Sequence, residues 1–455
     1  MQFSLIIFAL AISTLLGLVI IPSIMIISKK KNLYDSTNVR KIHNGKISRL
    51  GGVSFFPNSL ITLSITLAIT FWLSQDGLIS IPTHTDTAHF YIEFLLICAS
   101  MSILFLVGLA DDLVGVRYRI KFIFQIVSCI LIMTAGVRIT DFCGFLGLYS
   151  VPTWLGIGLS FFVIIFLTNA INLIDGVDGL ASGLAIISLL AFLFVFTKGG
   201  LIYYSECCAA LLGTLAIFWS YNTFGDSAKG KKIFMGDSGS LSLGFILSFL
   251  LIKLDQNVGS PKNPLGYEDM VLAASTLLVP VFDALRVAGL RVLNRRNPFL
   301  PDKNHIHHRL NRAGLGKMYA MICVIIFDIF FVALNYALAI FLNVTWILLI
   351  DVLAWTLAHK MLSRRMKAYE VKNHMAHDIA GNQFAIKNPA HYGMCLESNF
   401  IVTKTPEESA LLGNYEIHAL EDLEDAGDLE DLGDTGDLED LGDTGDLGDK
   451  GAPTP

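Results

Sequence analysis

The chain has 455 residues, 53% of them hydrophobic, and a mean hydropathy of +0.60; that balance excludes a soluble globular domain and fits a polytopic membrane protein. The formal charge of −6 hides a division, because residues 421–455 hold 14 of the 39 acidic residues and one of the 33 basic ones. The remainder carries 32 basic against 25 acidic residues, or +7, which suits a membrane surface and anionic ligands rather than an acidic body.

In chain order, apolar stretches of roughly 17–25 residues, the length that spans a bilayer, fall near 3–27, 51–74, 90–109, 122–138, 152–170, 179–197, 200–220, 238–254, 270–290, 318–340 and 344–360. The expected fold is all-α: a polytopic transmembrane helix bundle of about 11 spans. The first stretch is too long for a signal-peptide core and lacks a basic flank before it. Loops 28–50, 110–121, 171–178, 221–237 and 291–317, with segment 361–375, contain 24 Lys or Arg; the opposite loops contain four, Arg138, Lys198, Lys253 and Lys262. Positive charge stays inside, so the N-terminus is expected outside and the C-terminus in the cytoplasm. The seven cysteines show no metal-ligand spacing and read as packing residues.

The polar motifs gather in the cytoplasmic loops. The first is basic, Arg40 to Gly52, with Lys41 and His43; it reads equally as a lipid-phosphate contact and as an anchor for the next span. Next, Asp111 and Asp112 close a span, with Arg117, Arg119 and Lys121 after them. Adjacent carboxylates either raise one another's pKa or recruit a cation. The third motif runs from Asn169 to Leu180. Asn169, Asn172 and Asp175 are three apart and share a helix face, Asp178 continues the series, and oxygen ligands without Cys or His suit a hard cation. Gly176 and Gly179 would let the backbone approach a phosphate. The fourth, Met235 to Leu241, places Asp237 and Ser238 at a helix start, where they can cap the helix and where free N–H groups attract an anion. The fifth, Arg295 to Leu310, holds Arg295, Arg296, Asp302, His305, His307 and His308. Its histidines lack Cys or acidic partners at zinc spacing, whereas its Arg and Lys residues fit phosphate binding.

Beyond residue 365 the spans stop. Residues 366–420 are a mixed polar segment. Residues 421–455 repeat Gly-Asp-Leu-Glu-Asp-Leu-Gly-Asp-Thr from Gly427 and again from Gly436, an acidic low-complexity tail for which disorder is the expectation.

Taken in this order, these motifs resemble the polyprenyl-phosphate N-acetylhexosamine-1-phosphate transferases of glycosyltransferase family 4, which start O-antigen, teichoic acid and peptidoglycan lipid intermediates. The resemblance covers roughly residues 1–360. The sequence His305-Ile306-His307-His308 looks like the branch that uses UDP-GlcNAc; the phospho-MurNAc-pentapeptide branch typically has three consecutive histidines. The resemblance implies an active site in a cytoplasmic cleft, Mg²⁺ or Mn²⁺, and UMP as leaving group. It also implies Asp111 and Asp112 as a catalytic pair with Asp175 and Asp178, and a metal held by Asn172, Asp237 and Asp175. Substrate contacts are expected from Asn169, Gly176, Arg295, Arg296, Asp302, His305, His307, His308, Lys41 and His43. The expected partners are a UDP-N-acetylhexosamine, undecaprenyl phosphate and the lipid bilayer, with a homodimer allowed for and no nucleic acid. The rival within the chemistry is a different UDP-sugar. The rival outside it is a secondary transporter, which would bind near the bilayer midplane at broken helices, whereas these motifs lie at helix ends.

Overall fold

The computed structural model describes residues 2–34, 47–78, 87–259, 264–295, 302–372, 375–377, 383–385, 400–403 and 416–419. Its helices are α1 (Gln2–Lys31), α2 (Phe55–Gln75, entered through a 3₁₀ turn at Leu50–Ser54), α3 (Thr87–Val114), α4 (Tyr118–Thr134), α5 (Thr153–Ile174), α6 (Leu180–Lys198), α7 (Ile202–Phe224), α8 (Gly236–Asp255), α9 (Tyr267–Ser275), α10 (Leu278–Leu293), α11 (Ile306–Arg312), α12 (Lys317–Leu338) and α13 (Val344–Lys372). Each predicted apolar stretch falls on one of them except 270–290, which is divided between α9 and α10. Among the described residues nine helices are long and apolar enough to cross a membrane, and α9 with α10 forms a tenth, bent by 59°. The stretch expected near 122–138 folds as α4, of 17 residues. That is about 26 Å of helix, just short of a hydrocarbon core of about 30 Å. The protein is a multi-pass, all-α membrane protein.

The bend between α9 and α10 has a local cause. Pro280 has no N–H to offer the carbonyl of Thr276, one turn earlier. Ser188 of α6 shares its hydroxyl between Leu184 O of its own helix at 3.1 Å and that carbonyl at 3.4 Å, which goes part of the way to the demand of a lipid environment that no backbone polar group be left unpaired.

Helix α8 is the axis of the bundle: nearly all its residues from Ser238 to Asp255 are buried, and α3, α5 and α6 pack around it. Small residues allow this. A Cβ on Gly244 would come within 2.6 Å of Thr168 Cα on α5, and one on Gly108 of α3 within 2.5 Å of Ser238 Cα. Close approach through small residues is how helices gain contact where lipid supplies no hydrophobic drive. The same device joins α1 to α7, where a Cβ on Gly213 would come within 2.7 Å of Thr14 N and Ser13 and Thr214 share a hydrogen bond of 2.9 Å, while Asn58 of α2 donates to Ser13 O at 3.0 Å.

A hairpin of β1 (Asp141–Phe145) and β2 (Leu148–Ser150) lies in the link from α4 to α5. The chain parts into two units, 1–369 and 370–455. In the second, β3 (Met375–His377) pairs antiparallel with β4 (Gln383–Ala385), and β5 (Phe400–Thr403) with β6 (Glu416–Ala419). The acidic repeat lies outside the described residues.

Candidate active site

The site is assembled around the first turn of α8. Strand-like pairing fixes its approach: Phe234 N–H donates to Ser48 O at 2.8 Å, Gly51 N–H to Phe234 O at 2.9 Å, and Gly52 N–H to Met235 O at 2.8 Å. The chain from residue 48 is thereby tied to the start of α8, and a Cβ on Gly52 would overlap Gly239 N. Gly236 takes a left-handed φ of 73°, and a Cβ there would meet both Asp112 carboxylate oxygens at 2.5 Å.

Asp112 caps α8 from a neighbouring helix. Its carboxylate accepts the N–H of Asp237 at 2.8 Å, the N–H of Ser238 at 3.0 Å and the Ser238 hydroxyl at 2.7 Å. A carboxylate at a helix N-terminus satisfies orphan donors and meets the positive end of the dipole. The expectation that Asp237 and Ser238 would cap this helix and leave its N–H groups to a substrate anion is therefore corrected: Asp112 occupies those donors, and Asp237 is a first-turn residue whose carboxylate turns to Lys121 and Asn172. The two adjacent aspartates differ in kind. Asp111 accepts the Val116 N–H at 2.7 Å and faces Lys121 Nζ at 3.4 Å. Lys121 also pairs with Asp237 at 2.6 Å.

Carboxylate oxygens of Asp111, Asp112 and Asp237 lie within 4.8 Å of one another. Asn172 of α5 joins them, donating to Asp237 Oδ1 at 3.2 Å and to Ser240 Oγ at 2.7 Å. An all-oxygen carboxylate set suits a hard divalent cation, and the Lys121 ammonium between Asp111 and Asp237 marks where positive charge is attracted. Asp175 stands beside this group but outside the trio. It follows the last turn of α5, and burial pushes its carboxyl well above the usual range, helped by the negative charges of Asp237, Asp178 and Asp112 and opposed by Arg49.

Other expected residues are placed differently. Asn169 shares the helix face with Asn172 but turns to Gln125 of α4, donating at 2.8 Å. Asp178 pairs with Lys232 at 2.7 Å. Gly176 does leave room for a close approach, but the group that fills it is His307, whose ring a Cβ would overlap. Gly179, with φ of 78°, is likewise filled by Thr223 and donates its N–H to Asn222 at 2.5 Å. In the histidine segment, His305 Nδ1 lies 2.8 Å from Asp283 Oδ2 and is buried, which makes it a brace for α11 rather than a surface ligand. Asp302 pairs with Arg291 at 2.7 Å and accepts the Asn304 N–H at 2.7 Å, holding the loop in shape. His307 is buried with neither ring nitrogen bonded; burial and the neighbouring His308 push its pKa down to about 3. His308 is half-buried. Arg295 is exposed beyond the end of α10. Lys41, His43 and Arg296 lie outside the described residues.

Three partners were not singled out from the sequence as site residues: Lys121, Arg49 and Asp283. Lys121 was visible only as one of several bases after Asp112. Asp283 carried a usable signal, a lone carboxylate within an apolar run, which in a membrane protein marks a paired and purposeful residue.

Residues 94–255, from α3 to the end of α8, match the sequence profile of glycosyl transferase family 4. The span contains Asp111, Asp112, the Asn169–Asp178 turn and Asp237. The chain is 29% identical over 334 residues to the "Probable undecaprenyl-phosphate N-acetylglucosaminyl 1-phosphate transferase" of Bacillus subtilis (strain 168), covering 72% of this chain and 83% of that protein. It is 28% identical over 297 residues to the undecaprenyl-phosphate alpha-N-acetylglucosaminyl 1-phosphate transferase of Yersinia pestis, covering 65% and 74%. With the enzyme of that same name from Escherichia coli (strain K12), identity is 27% over 304 residues, covering 66% and 74%.

Proposed function

We propose that the chain, whose residues 94–255 match the glycosyl transferase family 4 profile, acts as a member of that family and transfers N-acetylglucosamine 1-phosphate from UDP-GlcNAc to undecaprenyl phosphate, with UMP released. The supporting observation is that Asp111, Asp112, Asn172 and Asp237 meet, with Lys121, at one end of an apolar bundle. A polyprenyl chain is confined to the bilayer and a nucleotide sugar to water, so a polar site at the helix ends reaches both. The counts of Lys and Arg favour that end facing the cytoplasm, in a bacterial inner membrane.

The reaction forms a P–O bond from a lipid phosphate oxygen to the sugar-bearing phosphorus and breaks the bond from that phosphorus to the oxygen of UMP. One phosphoanhydride replaces another, so the barrier is mainly the approach of two anions. Mg²⁺, or Mn²⁺ in its place, would be held by Asp111 and Asp237 with Asn172, where it would offset the charge of the diphosphate. Asp111, with Lys121 beside it, orients the lipid phosphate for in-line attack. Asp112 keeps α8 in register and acts through that helix. Asp175, beside this cluster, would help to orient the diphosphate. His307 and His308 place α11 against the turn after α5, beside the nucleotide sugar.

Membranes supplied with polyprenyl phosphate test the reading directly. Asp237→Ala should abolish UMP release from UDP-GlcNAc while leaving insertion intact, and retention of most activity would overturn the metal assignment. A panel of UDP-sugars with the same acceptor should show GlcNAc preferred over MurNAc-pentapeptide.

A further inference from the structure

Helices α5 and α8 touch where Thr168 meets Gly244. Four residues on along α5 and four back along α8, Asn172 faces Ser240, and its Nδ2 donates to Ser240 Oγ at 2.7 Å. The small residue at Gly244 brings the helices close enough for a side chain as short as serine to reach the amide. Ser240 is buried and has so far been given no part in the chemistry.

Its hydroxyl has a single proton. Ser240 donates it to Gly236 O, one turn earlier on α8, at 3.1 Å, a back-bond that serine commonly makes within a helix. Towards Asn172, Oγ can therefore only accept. The same amide nitrogen also donates to Asp237 Oδ1 at 3.2 Å. Both hydrogens of the Asn172 amide are thus spent on α8, and among the described residues nothing donates to its carbonyl oxygen Oδ1.

An asparagine ligates a hard cation through that oxygen, whereas its NH₂ end carries hydrogens and repels one. The two ends of a carboxamide are nearly equal in size, so packing does not choose between them and hydrogen bonding must. A reversed amide would set Oδ1 against an Asp237 oxygen and against a Ser240 oxygen whose proton is committed elsewhere. Of the two contacts that prevent reversal, the one to Ser240 is the shorter, and it keeps its strength when a cation draws on the Asp237 charge. On the reading that Asn172 and Asp237 hold the metal, we propose that Ser240 is a positioning residue for it: Ser240 anchors the Asn172 amide by its nitrogen and so keeps Oδ1 as the end that ligates the cation. Alanine at 240 fits the same buried space and offers the amide no acceptor.

Binding of Mn²⁺ to the purified full chain, read by electron paramagnetic resonance without nucleotide sugar, separates this role from a structural one. Ser240→Ala should raise the Mn²⁺ Kd by about fivefold, the weight of one neutral hydrogen bond, with Tm nearly unchanged. Higher Mn²⁺ should then restore UMP release to the wild-type rate, because affinity is lost and turnover is not. Asn172→Ala should itself bind Mn²⁺ more weakly, and adding Ser240→Ala to it should shift the Kd by less than about twofold, the resolution of such a mutant cycle. An unchanged Kd in Ser240→Ala would overturn the proposal. So would the same fivefold loss in the Asn172→Ala background, because Ser240 would then act on α8 and not through the amide. Asp237→Ala keeps the two readings apart. If it binds Mn²⁺ as wild type does, the metal assignment falls and the part of Ser240 with it; loss in Asp237→Ala with none in Ser240→Ala removes only the part given to Ser240.

Discussion

Asp111 and Asp112 are chemically alike and structurally opposed. Asp112 spends its lone pairs on two N–H groups and a hydroxyl of α8, whereas Asp111 faces a single ammonium and one N–H. Asp112→Asn should therefore lose stability as well as turnover. Charge-assisted bonds contribute about 1.5–3 kcal/mol each, so a lowered Tm and lost UMP release are expected together. Asp111→Asn should lose UMP release with Tm nearly unchanged; equal Tm losses in both variants would refute the division. His307 adds a pH dependence. Its folded pKa of about 3 lies below the ordinary value near 6.5, so the unfolded chain binds the proton first and stability is lost as pH falls from 6.5 towards 3. Asp175, shifted upward, acts with the opposite sign, which is why the comparison needs a variant. Wild type should lose Tm more steeply than His307→Phe as pH drops from 6.5 to 4. The sequence displayed these residues but not their partners. Lys121 and Asp283 matter through contacts across 116 and 22 positions of chain, and no local spacing encodes them.

The helices were legible because a bilayer demands long apolar runs, and the runs found are those predicted. The element that resisted was α4, whose 17 residues end earlier than the apolar run does, at Gly136 with φ of 79°. The break between α9 and α10 was not predicted, since 270–290 reads as one apolar run; Pro280 marks it in the sequence, but a proline alone does not say where the freed carbonyl goes. Gly176 and Gly179 were legible as close approaches, while the identity of the approaching group was not: at Gly176 it is His307 and at Gly179 Thr223, and Gly52, which was not read that way, meets the backbone of α8. Gly52→Ala should for that reason act through packing. Overfilling a tight contact costs about 1–3 kcal/mol, so a lower Tm should accompany reduced activity, and an unchanged Tm would show that the contact yields freely.

At the scale of the whole molecule, the motif loops come together because the helices run alternately and every second link returns to the same end. Topology read from charge thus anticipated convergence of Asp111, Asp175 and Asp237, and the first and last of these share one cluster with Asp175 adjoining it. The acidic segment is a separate matter. The groups described around α8 come from residues 48–240, and residues 421–455 follow the bundle in sequence. Their deletion should leave turnover within about twofold of wild type under assay at saturating substrate, the tolerance usual for a terminus outside the core; a large loss would give the tail a part in the reaction.

The clasp between α3 and α8 also fixes a phase. Gly108 must meet Ser238, and three and four residues later Asp111 and Asp112 must point to different neighbours. One extra residue between Gly108 and Asp111 would turn both carboxylates by about 100°, putting neither where it belongs. Within this stretch the chain can neither lengthen nor shorten, whereas past Val114 the helix has ended and its phase is no longer carried forward.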